Sequence, residues 1–234
     1  MKRVMTEQVR HMFASIAPRY DAANDVMSFG MHRLWRRRAI ALAGAQAGQS
    51  VLDCASGTGD LALAWKKAVG ESGRVVGTDF CAEMLALAPA KAAARGLAVD
   101  FEVADVTALP YANRSFDVAS IAFGIRNVDD PKRGLCEMAR VVRPGGKVVV
   151  LEFGQPRGAF GVAFRAYARF GMPALGYMVA GNRRAYEYLP RTAAAFPAGE
   201  RFLALMDDCH AFSTRSATPL LFGTAFVYVG TVAD

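Results

Sequence analysis

From Ser50 onward the chain alternates short apolar runs with amphipathic stretches of helix length, and that alternation leaves few folds open to it. β-type runs are expected at Ser50–Cys54, Arg74–Thr78, Val99–Ala104, Phe116–Ala122 and Lys147–Phe153, with helices at Asp60–Val69, Ala82–Arg95 and Pro131–Val142 between them. Strands joined through helices run parallel, and right-handed crossovers put helices on both faces of the sheet. Arg143-Pro144-Gly145-Gly146 reads as a turn feeding the fifth strand. Ahead of this core, Val9, Met12, Phe13 and Ile16 recur at helical spacing until Pro18, Arg19–Ser28 reads as a polar loop, and a second helix is expected from about His32 to Ala43. Residues 158–200 read as helical and aromatic, interrupted at Pro173, Pro190 and Pro197. Phe212 to Val229 reads as two strands joined near Thr218-Pro219. The expectation is one α/β domain built on a seven-stranded, mostly parallel sheet with one antiparallel strand. It divides into an N-terminal helical cap (1–45), a core (46–157), a helical lid (158–200), and a terminal helix with a hairpin (201–234).

Composition narrows the class. Hydrophobic residues make up 53% and charged residues 21%, enough apolar material for a packed core and too much for disorder. The net charge of +7 suits nucleic acid, an anionic membrane surface or an anionic cofactor without choosing among them. No apolar run approaches the roughly 18 residues of a membrane span; Phe170–Asn182, bounded by Arg169 and Arg183, can lie on a bilayer but not cross it. The N-terminus lacks the apolar stretch of a secretory signal. Cys54, Cys81, Cys136 and Cys209 are far apart with no CxxC pair, and His11, His32 and His210 are scattered, so no metal spacing exists. The thiols read as reduced in a cytoplasmic protein. Arg33, Arg36, Arg37 and Arg38 read as a solvated helix face, too small a cluster for RNA binding.

The strongest local signal is Val51-Leu52-Asp53-Cys54-Ala55-Ser56-Gly57-Thr58-Gly59-Asp60, a strand running into a glycine turn that opens a helix. Glycines serve where backbone approaches a ligand closely or takes a positive φ. Gly57-x-Gly59-x-x-Ala62 also meets the dinucleotide fingerprint, with Asp79 twenty residues beyond Gly59 at the end of the second strand, where an acid can bind ribose hydroxyls. Asp53, before the first glycine, would repel a pyrophosphate but can face the cationic amino-acid end of S-adenosylmethionine. Asp105, ending the third strand, can read an adenine amino group. Three acids at successive strand ends therefore favour S-adenosylmethionine over a dinucleotide.

With these motifs in hand, the chain resembles the ubiquinone/menaquinone biosynthesis C-methyltransferases along nearly its whole length. The similarity runs through Met12-Phe13, Arg19-Tyr20-Asp21 with Asn24 and Ser28, Trp35-Arg36, the Asp53–Asp60 loop, Asp79 with Met84-Leu85, and Ser115-Phe116-Asp117. Its most specific parts are Phe123-Gly124-Ile125-Arg126-Asn127-Val128 and Tyr186-Glu187-Tyr188-Leu189-Pro190, flanked by Arg143-Pro144-Gly145-Gly146, Leu151-Glu152-Phe153 and Phe222-Gly223. The resemblance implies a Rossmann-like class I methyltransferase fold and methylation of a ring carbon on a prenylated quinol, with S-adenosylmethionine as donor and no metal. It also implies cofactor contacts at Thr58, Asp79, Asp105 and Val106. Asp53, Ser56, Gly57, Gly59, Phe80 and Ala122 complete the expected cofactor set, Ala122 standing where the family often has Ser.

A phenol titrates near pH 10, so a quinol needs a cation beside its oxygen to become the phenolate that pushes charge onto the ortho carbon. Arg126 is the expected cation, with Asp21, Asp129 or a water chain as proton acceptor. Tyr20, Asn24, Phe123, Asn127 and Tyr188 are the expected substrate contacts. The favoured reaction is demethylmenaquinol to menaquinol, because the chain begins close to the Met12-Phe13 helix as in the shorter menaquinone-type members. A benzoquinol, another phenolic metabolite, or a non-catalytic cofactor-binding scaffold are the alternatives. Peripheral membrane contact through 158–182 and a homodimer are expected partners, and nucleic acid is not.

Overall fold

In the computed structural model, residues 2–181 and 183–234 are described; Asn182, the end of the apolar stretch, lies outside them. Helix α1 (Lys2–Ile16) leads through a 3-10 turn at Pro18 into α2 (Tyr20–Ser28) and α3 (Met31–Ala43). The core follows as β1 (Ser50–Cys54), α4 (Asp60–Val69), β2 (Arg74–Asp79), α5 (Ala82–Leu85), α6 (Ala88–Ala93), β3 (Asp100–Val103), β4 (Phe116–Ala122), α7 (Pro131–Val141) and β5 (Val142–Phe153). Then come α8 (Gly158–Ala166), a π-turn (Tyr167–Gly171), α9 (Met172–Ala180), α10 (Arg183–Ala195), α11 (Glu200–Asp207), β6 (Phe212–Leu220) and β7 (Ala225–Val232). The strands form one sheet in the order β3-β2-β1-β4-β5-β7-β6, in which β7 alone runs against the other six. This is the expected sheet.

Period-two alternation divides the strand side chains between two cores. Val148 and Val150 of β5 face a cluster closed by Leu135 and Met138 of α7 and by Phe202 and Met206 of α11. Val149 and Leu151 face the opposite cluster, closed by Trp35, Ala39 and Ile40 of α3 and by Leu61 and Trp65 of α4. A third cluster leaves the sheet altogether: Ile16, Ala23 and Met27 of the cap pack with Met172 and Tyr186 of the lid. Cap and lid thus form one helical layer near the ends of the strands.

Several local expectations are corrected. The Arg19–Ser28 segment is mostly helix, because burial of Ala23 and Met27 outweighs the turn preference of its polar residues. The Ala82–Arg95 helix is split ahead of Pro89, whose ring restricts the residue before it. Pro173 and Pro190 lie within helical elements; Pro173 is in the first turn of α9, and Pro190 is inside α10. Thr218 and Pro219 belong to β6, and the hairpin turns at Leu221–Gly223 instead. As an edge strand, β6 tolerates a residue without an N–H. The Arg143–Gly146 turn is a bulge inside β5, which pairs Phe116 with Val142 but Val118 with Lys147. Cys136 and Cys209 form a disulfide, where reduced thiols were expected. Their spacing of 73 residues carries no pairing signal, but the fold sets α7 beside α11.

Candidate active site

The glycine turn after β1 is held from below and from the side. Asp53 is 1% exposed, and its two oxygens accept hydrogen bonds from Ser56 Oγ (2.7 Å) and Ser120 Oγ (2.8 Å); Ser120 in turn accepts one from Trp65 Nε1 (2.8 Å). Burial pushes the Asp53 carboxyl up to about 7, against the pull of the two hydroxyls. Asp53 therefore braces the glycine turn from within the sheet. Gly59 takes φ +85°, and a Cβ there would lie 2.9 Å from Ala88 Cβ and 3.1 Å from the Phe101 ring, so only glycine fits.

Asp79, at the end of β2, accepts the N–H of Gly57 (2.8 Å) on one oxygen and that of Cys81 (2.8 Å) on the other. Burial raises its pKa while these backbone donors lower it. Phe80 and Ser56 are half-buried beside it. At the end of β3, Asp105 is exposed and accepts from the Thr107 N–H and hydroxyl (both 2.8 Å), next to buried Val106. Half-buried Ala122 ends β4. Because β1, β2 and β3 are neighbours in the sheet, their terminal acids share one edge. A carboxylate retains lone pairs after accepting one N–H on each oxygen. The donor set of Asp79, Asp105 and the apolar Val106 therefore fits a nucleoside with free ribose hydroxyls.

Thr58 donates to Asp21 Oδ1 (2.6 Å) and receives a hydrogen bond from Lys91 Nζ (2.9 Å). Lys91 is also ion-paired to Asp21 and to Asp60 (3.0 Å). Asp21 is thus spent on the glycine turn, and it lines a surface cleft with Asp25, Arg33 and Asp60 rather than standing beside Arg126. Asp129 is exposed in the turn before α7.

A cavity of about 190 Å³ opens beyond the ends of β4 and β5. Its aromatic wall runs from Trp35 to Phe123 (ring centroids 6.2 Å apart) and on to Phe153 (4.6 Å), and Arg126 lies over the Phe153 ring at 5.2 Å. Tyr20 and Asn24 of α2 also line it, as do His32 and Arg36 of α3. Three of the five expected substrate residues, Tyr20, Asn24 and Phe123, are therefore brought together with Arg126. Asn127 and Tyr188 instead meet each other, the Tyr188 hydroxyl donating to Asn127 Oδ1 (3.2 Å).

Arg126 is tied to Glu152 of β5, its Nη1 lying 2.9 Å from Oε1, and the same nitrogen donates to the Phe123 carbonyl. Burial raises the Glu152 pKa, and Arg126 is the largest influence pulling it back down. Glu152 escaped the expected site set, though an acid at the end of the apolar run Val148–Leu151 was a visible signal. His32 and Arg36 also escaped it. The supposed solvated face is in part buried: His32 is 5% exposed and bonds Asp25 (2.7 Å), and Arg36 bridges His32 Nδ1 to Asp60 (3.3 Å). An arginine only donates, so His32 Nδ1 must accept and Nε2 carries the proton given to Asp25.

Residues 1–231 match the model of the ubiE/COQ5 methyltransferase family. The chain belongs to this family. It is 54% identical over 227 residues to the ubiquinone/menaquinone biosynthesis C-methyltransferase UbiE of Bdellovibrio bacteriovorus, covering 97% of this chain and 96% of that one. It is 49% identical to the demethylmenaquinone methyltransferase of Thermus thermophilus, covering 94% and 99%. Among solved structures, a SAM-dependent methyltransferase of Thermotoga maritima, described as a possible histamine N-methyltransferase, superposes with a TM-score of 0.65 at 20% identity, over 94% of this chain and 98% of that one. The last comparison speaks for the fold alone. The methyltransferase expected from the sequence is thus met in family and in fold.

Proposed function

We propose that this methyltransferase moves a methyl group to a ring carbon of a prenylated quinol, converting demethylmenaquinol to menaquinol. The observation that carries the reading is a buried arginine, fixed by Glu152, at the end of an aromatic-walled cavity beside a glycine turn suited to a nucleoside. The names of the relatives over nearly full length point to the same chemistry.

S-adenosylmethionine, when bound, supplies an activated methyl group. In this reading Asp79 takes the ribose hydroxyls, Asp105 and Val106 the adenine, and Thr58 with the Gly57–Gly59 backbone the remainder. The ring lies against Phe123 and Phe153 with Tyr20 and Asn24 at its rim. Arg126 holds the quinol oxygen as a phenolate, its charge stabilised in a site shielded from water. The ring carbon would take the methyl group as the methyl–sulfur bond breaks, the donor leaving as the neutral thioether, and its own proton would then pass to water, which restores the aromatic ring. Glu152 acts as a positioning residue that fixes Arg126.

A second cavity of about 430 Å³ shares Phe153, Phe164, Met172 and Leu189 with the first and continues past Pro190 and Ala194. That passage suits an isoprenoid tail. Phe170 (68% exposed), Tyr177 and Met178 (78%) stand out from the lid with exposed Arg165 and Arg169, a surface suited to an anionic bilayer. Among the described residues no helix is long and apolar enough to cross a membrane. The homodimer is carried only by how often enzymes of this size pair.

The test is single-turnover transfer from methyl-labelled S-adenosylmethionine. Short-tailed demethylmenaquinone and a benzoquinone analogue are offered oxidised and reduced, with products read by mass spectrometry. Label on the reduced naphthoquinol is expected. Label on the benzoquinol alone transfers the assignment to that ring, and label on no acceptor while S-adenosylmethionine binds overturns the reading.

A further inference from the structure

The cavity holds a second guanidinium that the chemistry at Arg126 leaves unused. Among the described residues, three buried side-chain polar atoms lack a hydrogen-bond partner: Arg126 Nε, Arg36 Nε and the Tyr186 hydroxyl. The first two belong to residues that line the same cavity. A buried N–H without an acceptor is unfavourable, so an acceptor on a bound molecule would relieve either position. The two arginines come from different elements, Arg36 from α3 and Arg126 from the turn after β4. Tyr20 lines the same cavity; burial raises the pKa of its phenol, and a hydrogen bond with Asn24 and then the charges of Arg36 and Arg126 oppose that rise. The aromatic wall of Trp35, Phe123 and Phe153 lines the same cavity and offers ring faces against which an aromatic ring can pack.

Arg36 is also held in place. Its Nη1 is shared between His32 Nδ1 and Asp60 Oδ2, and His32 is fixed in turn by Asp25. Asp60 is braced by Lys91. Nη1 is thereby engaged while Nε is left without a partner.

We infer that Arg36 binds the second oxygen of the acceptor ring, so that the cavity reads a para-dioxygenated aromatic rather than a single phenol. This rests on the quinol reading above and adds a specificity-determining residue to it. Arg126 serves the oxygen whose phenolate activates the carbon, and Arg36 serves the opposite one. A ring lacking that second oxygen leaves the Arg36 N–H orphaned.

The experiment measures binding of naphthohydroquinone and of α-naphthol, anaerobically with ascorbate, by quenching of tryptophan fluorescence, since Trp35 is in the cavity wall. The wild-type protein should bind the hydroquinone at least about tenfold more tightly than the naphthol, the scale of a charge-assisted hydrogen bond. In Arg36→Met that ratio should fall towards one while α-naphthol affinity stays within about twofold, a change a loosened fold would not give. Arg36→Lys keeps a cation for Asp60 and should give an intermediate ratio. Equal binding of both rings by the wild-type protein overturns the inference without reference to any variant. So does a ratio that survives in both Arg36→Met and Arg36→Lys. If the wild-type preference is present and lost in the variants but no quinol is methylated, the functional reading fails and the recognition stands.

Discussion

The guanidinium of Arg126 and the carboxylate of Glu152 meet at 2.9 and 3.2 Å, with only 3% and 1% of their side chains exposed. Removing one member of such a buried pair strands the other charge and costs about 3–5 kcal/mol. Arg126→Ala should therefore lower stability by that order and reduce single-turnover methyl transfer at least about a hundredfold, the scale of losing a donor at a developing oxyanion. Glu152→Gln should lower kcat while leaving S-adenosylmethionine affinity in place. Calorimetry, thermal melts and rapid-quench assays separate these effects, and an Arg126→Ala enzyme with normal turnover would remove the arginine from the chemistry.

Asp79 accepts two backbone N–H groups, and in the proposed reading it also takes the ribose hydroxyls. Asp79→Ala orphans both donors, at about 1–3 kcal/mol each, and should weaken S-adenosylmethionine binding by two orders of magnitude or more. Titration calorimetry reads this directly.

Gly59→Ala places a methyl group 2.9 Å from Ala88 Cβ on a left-handed backbone. We expect a loss of roughly 1–3 kcal/mol in urea unfolding, the usual range for overpacking with backbone strain. Cofactor affinity should fall with it, because the turn itself must shift.

Asp53 carries a proton in the folded chain up to about pH 7, whereas an unperturbed carboxyl ionises at 3.8. Between those values the folded state binds more protons than the unfolded one, so this contribution to stability fades as pH rises and is gone above about 7. Asp53→Asn is fixed in the neutral state and lacks that slope. Its stability relative to the wild-type protein should rise by a few kcal/mol between pH 4 and 8, measured by urea unfolding across that range.

Exposed Arg165 and Arg169, with Phe170 and Met178, set an expectation for the lid. Flotation with vesicles containing anionic lipid should recover the protein, neutral vesicles should recover less, and Arg165→Glu with Arg169→Glu should abolish the difference. Equal recovery on both vesicle types would argue against an electrostatic contact.

The core was legible because its signals are local: β1, β4 and α4 begin and end where periodicity placed them, and the strand-end acids follow from the same runs. What escaped depends on tertiary contact. The helix Tyr20–Ser28 exists because Ala23 and Met27 find a lid to pack on. Arg36 looked like one of four solvated arginines until Asp60 and His32 drew it inward. Asp53 looked like a ligand group, and its hydrogen bonds to Ser56 and Ser120, which brace the turn, were not visible in the sequence. In each case the sequence shows the residue and hides a partner on another element: the lid for Ala23 and Met27, Asp60 for Arg36, and Ser120 for Asp53.

Helix α2 carries Asp21, which clasps Thr58 on the glycine turn, and one turn further on Asn24, which lines the ring cavity. A nine-residue rod therefore touches the glycine turn and the aromatic cavity alike. If the turn holds the methyl donor and the cavity the ring, as proposed, a shift of α2 that widens one compartment would also pull on the clasp of the other.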